Sequence, residues 1–195
     1  MNVLIVGGGA REHALCWRLA QDPSVDRVLA APGNPGIEAV ASVAPVVATD
    51  VPGLVDLAVS ESVDLTVVGP EASLVAGLAD ELAAKGLPVF GPTAEAARLE
   101  GSKAWARALC ERHGIPVPRS GTFDDAEAAL GFLDSLGAPI VIKADGLAAG
   151  KGVVIAEDRA DAEAAIRASL VEGAFGEAGR RIMIEEFLED RKSVV

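Results

Sequence analysis

An α/β chain in two parts is predicted: a parallel, doubly wound sheet over the first hundred residues, then a smaller α+β unit. Three observations predict it. Short apolar runs ending in Gly, Pro or Asp recur at NVLIVGGG (2–9), RVLAAPGN (27–34), VVATD (46–50), LTVVGPE (65–71) and PVFGPT (88–93). Helix-like stretches separate most of them, and continuous apolar strands alternating with helices imply a sheet covered on both faces. Near residue 100 this rhythm gives way to paired strands backed by helices.

The elements follow in order. REHALCWRLAQD carries Leu15 and Leu19 at helical spacing, and PGLVDLAVSES carries Leu54, Leu57 and Ala58. LVAGLADELAAKG closes on Lys85 and Gly86, a helix C-terminus signal. LEGSKAWARALCERHG reads as one helix, with Ser102 suited to an N-cap and Gly114 at its end. In GIPVPRSGTF, Pro116 and Pro118 impose an extended connector. A helix over DDAEAALGFLDSLG precedes strands IVIKAD and VVIAED, the helix RADAEAAIRASLVEG, the loop FGEAGR and the strand RIMIEEFL. The division falls between 1–101 and 102–195. The last strand is expected to lack neighbours and to present an unpaired edge, an aggregation hazard that lowers solubility.

Half of the 195 residues are hydrophobic, only 4% are aromatic and none is Tyr, so the core is Val, Leu, Ile and Ala. A net charge of -12 argues against duplex DNA or an anionic membrane as the main partner. It leaves a small anion open, because a phosphate site needs only local donors. Cys16 and Cys110 have no CxxC spacing and read as buried free thiols. MNVLIVGGGA has no basic segment and too short an apolar run for a signal peptide, and no stretch reaches the roughly 18 apolar residues of a membrane span. A soluble cytoplasmic protein is expected.

Several loops carry candidate chemistry. GGGAREH (7–13) follows a strand and opens a helix, where free N–H groups and the positive dipole end suit a phosphate. Glu12 stands where a dinucleotide fingerprint needs Gly, and APGN (31–34) lacks the ribose-binding acid, so NAD is disfavoured. The same turn also serves as a bare strand-to-helix connection. In VGPEAS (68–73), Glu71 suits a ribose hydroxyl or an amine, or is an exposed acid in a Pro turn. GLAAGKG is stronger: Gly146, Gly150 and Gly152 permit unusual backbone angles and close approach to phosphate oxygens, and Lys151 adds a charge. It is not a Walker A loop, since Gly152 and a strand follow the lysine. Lys143 shares a strand face with Val141, opposite Ile140 and Ile142. It either aims at a phosphate or snorkels to solvent. Lys103 at a helix start opposes the dipole, a conflict that a nearby anion removes. Glu185 and Glu186 are consecutive in a strand, so they face opposite sides and form no acid/base dyad. The backbone there suits an adenine edge, with one Glu accepting from its amine.

Together the motifs VLIVGGGAREHAL, APGNPG, VVGPEASLVAGLAD, VFGPTAEAARLEGSKAWA, GIPVP, APIVIKADGLAAGKGVVIA, AFGEAG and IMIEEFL resemble the ATP-grasp superfamily. Within it they resemble the glycinamide ribonucleotide synthetase family, the phosphoribosylamine–glycine ligases of purine biosynthesis, from residue 1 to 189. The resemblance implies a pre-ATP-grasp substrate domain (1–101) followed by a partial ATP-grasp domain (102–195). It implies that ATP converts glycine to an acyl phosphate, which the amine of 5-phosphoribosylamine attacks. By the same resemblance Lys103 and Lys143 meet the nucleotide phosphates, and the loop containing Gly146, Gly150, Lys151 and Gly152 covers them. Glu185, Glu186, Phe187 and Leu188 belong to the adenine hinge. Gly8, Gly9, Arg11, Glu12, Asn34, Pro70 and Glu71 match the phosphoribosylamine region.

Three departures stand out. Ala10 replaces a family Gly, tolerable where the backbone is helical. Asp190 and Lys192 replace a Gly and a ribose-binding Glu. The chain ends near half the family's usual length, so Mg2+ ligands and catalytic residues are expected beyond 195, and the chain is expected to be a truncated, inactive form. The alternatives are a nucleotide-binding remnant without chemistry and another purine-pathway ATP-grasp enzyme. The expected partners are small molecules, with neither nucleic acid nor membrane.

Overall fold

The structure is a computed structural model and describes residues 1–148 and 152–189. The chain divides into two compact units, Met1–Arg98 and Leu99–Val195.

Unit 1 runs β1 (Asn2–Gly7), α1 (Ala10–Leu19), β2 (Arg27–Pro32), α2 (Pro35–Glu38), β3 (Ser42–Val43), α3 (Val51–Ser60), β4 (Leu65–Val68), α4 (Glu71–Val75), α5 (Leu78–Ala84) and β5 (Val89–Phe90). The sheet has order β3-β2-β1-β4-β5 and is parallel throughout. Strand alternation splits β1 between two cores. Leu4 and Val6 pack with Leu54, Leu78 and Leu82 of α3 and α5. Val3 and Ile5 pack with Cys16 of α1 and Ile37 of α2. Helices on both faces explain why β1 reads as an unbroken apolar run.

The third strand departs from expectation. It is Ser42–Val43, and residues 46–50 form no strand. Pro45 has no N–H to give a ladder, so pairing stops before the VVATD run. Asp50 instead caps α3, its carboxylate accepting from Gly53 N at 3.1 Å.

The predicted single helix from Leu99 is two helices. α6 (Ala94–Gly101) ends before Ser102, which is extended, and α7 (Lys103–Arg112) starts afresh. The break has a local cause: Ser102 Oγ accepts from Trp105 N at 3.1 Å, an N-cap that needs non-helical backbone at Ser102.

Unit 2 continues with β6 (Ser120–Phe123), α8 (Ala126–Leu133), β7 (Ile140–Ala144), β8 (Val153–Ala156), α9 (Arg159–Leu170), a 3-10 turn (Gly176–Gly179) and β9 (Ile182–Glu186). Its sheet is antiparallel, in the order β6-β9-β7-β8. Two expectations are corrected here. Part of the predicted connector is a strand, β6. The last strand is no unpaired edge: β9 lies inside the sheet, with β6 on one side and β7 on the other. The prolines before β6 masked a strand that lies beyond them.

One face of this sheet is apolar. Ile140, Ile142, Ile182 and Ile184 pack under Leu133 of α8 and Ile166 of α9. The other face carries Val141 and Lys143 of β7 and Glu185 of β9, with Val153 and Ile155 of β8 about half exposed. Lys143 thus lies opposite Ile140 and Ile142, as strand alternation requires.

Candidate functional site

In unit 1 the chain leaves β1 toward β2 and β3, and leaves β4 toward β5 on the other side. Such a switch point opens a crevice at the carboxyl ends of β1 and β4, where open α/β sheets take ligands. Gly7–Gly9 and Gly69–Glu71 lie there. Their backbones are packed against neighbours. A Cβ on Gly8 would stand 2.4 Å from the carbonyl oxygen of Gly33, so only Gly fits. Asn34 locks the same turn: Nδ2 donates to Gly8 O at 2.8 Å, while Oδ1 accepts from Ile37 N at 2.9 Å and caps α2.

Glu12 is buried and turned back on the loop, with Oε2 accepting from Gly9 N at 2.7 Å. Its Oε1 is buried with no hydrogen-bond partner among the described residues, against Gly69, where a Cβ would meet it at 2.1 Å. Ala10 is the first residue of α1, so its methyl sits on helical backbone without strain. Arg11 Nη2 donates to Glu71 Oε1 at 3.3 Å. The Glu71 carboxyl is held below the usual carboxylate range, first by its own backbone N–H at the start of α4 and then by Arg11. Pro70 is the N-cap of α4. The seven candidates therefore gather at one end of the sheet, in two roles. Gly8, Gly9, Asn34 and Glu12 fasten one another, while Arg11 is largely exposed and Glu71 half-buried beside the Pro70 cap. On the inner side of α1, burial and the nearby Glu12 raise the Cys16 thiol to about 11. Both cysteines are free; Cys16 is buried as expected, but Cys110 is only half-buried.

In unit 2 the charged groups of the second sheet face centre on Glu185, 3% exposed. Its two oxygens are shared between two cations, Oε2 with Lys143 Nζ and Oε1 with Arg107 Nη2. Arg107 also donates to Pro118 O at 3.0 Å. One carboxylate thus faces two cations. Arg107 escaped sequence reading because it lies 78 residues from Glu185 in the chain, on a helix whose pattern gives no sign of it. Glu186 points elsewhere, accepting from Arg119 N at 2.7 Å, so the two acids do lie on opposite sides. Phe187 and Leu188, 36% and 56% exposed, follow the end of β9.

Lys103 is the first residue of α7, and its Nζ donates to Gly146 O at 3.1 Å. The anion that its position calls for is Asp145, also unsuspected from the sequence, whose carboxylate accepts from Ala104 N at 2.7 Å. Close contacts within the chain also restrict Gly146 and Gly152. Gly146 does not have a positive φ. A Cβ on Gly146 would press on Ala178 Cα at 3.0 Å, and one on Gly152 on Ala148 Cβ at 2.6 Å. Close packing at the two ends of the loop leaves little room for a side chain. Gly150, Lys151, Asp190 and Lys192 lie outside the described residues. Among the described residues no group of three or more His, Cys, Asp or Glu is placed to hold a metal ion, and no helix is long and apolar enough to cross a membrane.

Comparison with known families matches residues 1–100 to the N domain of phosphoribosylglycinamide synthetase and residues 101–194 to its ATP-grasp (A) domain. The chain belongs to the phosphoribosylglycinamide synthetase family. Among the similar members is the phosphoribosylamine–glycine ligase of Caulobacter vibrioides, 56% identical over 193 residues, covering 99% of this chain and 45% of that protein. The Escherichia coli K12 ligase is 52% identical over 195 residues, covering 99% and 46%. The crystal structure of the Thermotoga maritima ligase superposes with a TM-score of 0.79 at 28% identity, over 98% of this chain and 45% of that one. The biotin carboxylase domain of Hydrogenobacter thermophilus 2-oxoglutarate carboxylase, solved with MgADP, shares the fold at a TM-score of 0.73 and 20% identity, over 96% and 44%. The chain thus spans less than half the length of the synthetase-family relatives it matches.

Proposed function

We propose that this chain carries the nucleotide face and the amine-substrate crevice of an ATP-dependent phosphoribosylamine–glycine ligase of purine biosynthesis, acting in the cytoplasm. In that reaction the γ-phosphoryl group of ATP passes to the glycine carboxylate, giving glycyl phosphate and ADP. The amine of 5-phosphoribosylamine then attacks the carbonyl, loses a proton and expels phosphate, leaving glycinamide ribonucleotide.

The observation that carries this reading is the pair of lysines at the end of β7. Lys143 lies on the strand, and Lys103 is bonded to the carbonyl of Gly146, at the root of the glycine loop. Two cations beside a close-packed glycine turn suit a polyphosphate, whose charge they offset. The half-exposed Val153 and Ile155 on the Lys143 face suit the apolar body of a nucleotide. In this reading Gly150 and Lys151 complete the loop with Gly146 and Gly152, and Glu185, Glu186, Phe187 and Leu188 border the adenine. Mg2+, arriving with ATP, neutralises phosphate charge. In unit 1, Gly8, Gly9, Asn34 and Pro70 shape the crevice for phosphoribosylamine, and Arg11, Glu71 and the unpartnered Glu12 Oε1 address its polar groups.

Calorimetry with ATP and Mg2+ tests the reading. The chain is expected to bind, and Lys143→Ala to weaken binding by about tenfold or more, the loss of one charge-assisted contact. Binding that ignores the substitution, or none in the unaltered chain, overturns it.

A further inference from the structure

Lys103 sits where elementary electrostatics disfavours it. It opens a ten-residue helix, and a cation in the first turn opposes the dipole. The compensating anion comes from the end of a distant strand. Asp145, the residue after β7, is 4% exposed. Its Oδ1 accepts from Ala104 N at 2.7 Å, and Oδ2 accepts from Arg181 Nε at 2.7 Å. Ser102 Oγ lies 3.2 and 3.1 Å from the two carboxylate oxygens while accepting from Trp105 N. The backbones join as well: Lys103 N donates to Asp145 O at 3.2 Å, and Asp145 N to Arg181 O at 2.9 Å.

Strand end and helix start are therefore fastened through one carboxylate. A buried carboxylate needs a counter-charge, and Arg181 provides it from outside the helix, so Lys103 is not consumed as the partner. The Lys103 ammonium has three donors, and among the described residues Gly146 O takes one.

We propose that Asp145 is the positioning residue of the phosphate-facing lysine. From the end of β7 it caps α7, cancels the unfavourable charge at that terminus, and so holds Lys103 against the root of the glycine loop with donors left for an anion. It touches no substrate and acts only through Lys103. The functional part of this inference rests on the reading of Lys103 as a phosphate ligand.

Amine labelling followed by mass spectrometry tests the positioning without any nucleotide. In the unaltered chain Lys103 is expected to react more slowly than the exposed Lys85. Asp145→Asn keeps the shape and removes the charge, and should speed Lys103 by about tenfold, the loss expected for a hydrogen bond to a charged group. Lys143, held by Glu185, should keep its rate. An unchanged Lys103 overturns the proposal, and so does equal acceleration of Lys103 and Lys143, which marks general loosening. Should the Asn variant not fold, Ser102→Ala keeps the carboxylate and deletes the bridging hydroxyl. Faster labelling of Lys103 alone supports the proposal, and an unchanged rate overturns it. A second measurement separates this inference from the nucleotide reading. Asp145→Asn should weaken ATP and leave adenosine unaffected. If neither ligand binds the unaltered chain while labelling behaves as expected, the nucleotide reading fails and the positioning role stands. If ATP binds and labelling does not respond, only the positioning role fails.

Discussion

The two units treat buried acids differently. In unit 2, Asp145 and Glu185 each meet cations from a distant part of the chain. In unit 1, Glu12 is fastened by the backbone of its own turn, and among the described residues one of its oxygens has no partner. Unit 1 builds its crevice from glycine backbone and short-range caps, so its shape is set by close packing. Unit 2 builds its face from a shared ion network, so its shape is set by charge balance. The crevice is thus vulnerable to added volume and the face to removed charge.

Glu185→Ala should break unit 2 hardest. It leaves Arg107 and Lys143 without their acid, and removing one partner of a buried ion group costs about 3–5 kcal/mol. Lys143 is partly exposed, which places the expected loss at the lower end of that range, about 3 kcal/mol. Hydrogen exchange should locate it in β9 and β7, with unit 1 peptides unchanged. A loss below about 1 kcal/mol, the value of an ordinary surface pair, would mean that the network is not a balanced buried one.

Gly8→Ala should break unit 1 next. The new methyl would stand 2.4 Å from the Gly33 carbonyl, which is backbone and cannot rotate away. Overpacking of this kind costs about 1–3 kcal/mol. The substitution is expected to expose the Gly8 and Gly33 turns to exchange while leaving unit 2 untouched. Unchanged exchange at these turns would show that the crevice yields to volume after all.

The same contrast explains what the sequence could reveal. Parallel and antiparallel halves, Lys143 on the strand face opposite Ile140 and Ile142 and the Ser102 cap were all readable, because each rests on a period or a spacing of a few residues. The gathering of Gly8, Asn34 and Glu71 at the strand ends was readable because loops at carboxyl ends converge in any doubly wound sheet. Arg107 and Asp145 were not. Their partners lie 78 and 36 residues away, and nothing local distinguishes Arg107 from a solvated helix arginine. β6 was missed because the prolines before it argue for a connector, and only its pairing with β9 makes it a strand. The contacts of Gly146 with Ala178 and of Gly152 with Ala148 were not legible either, because a loop sequence does not show which side chains pack against its ends.

The smallest expected effect separates the two unpartnered oxygens of unit 1. Thr66, on β4, is 1% exposed and its hydroxyl has no partner among the described residues. Its register neighbours are Leu4 and Val89, both part of the core beneath α3 and α5. Buried among these core residues, the hydroxyl is a cost. Thr66→Val keeps the branched shape and removes the unsatisfied group, and should stabilise the chain by about 1 kcal/mol in urea denaturation. Glu12, at the open ends of β1 and β4, must behave otherwise. Glu12→Gln keeps the volume and removes the charge, yet still presents an amide to Gly9 N and Gly69, so it should bring no such gain. If both substitutions stabilise equally, the buried oxygen of Glu12 is a packing defect like that of Thr66 and not a feature of the crevice.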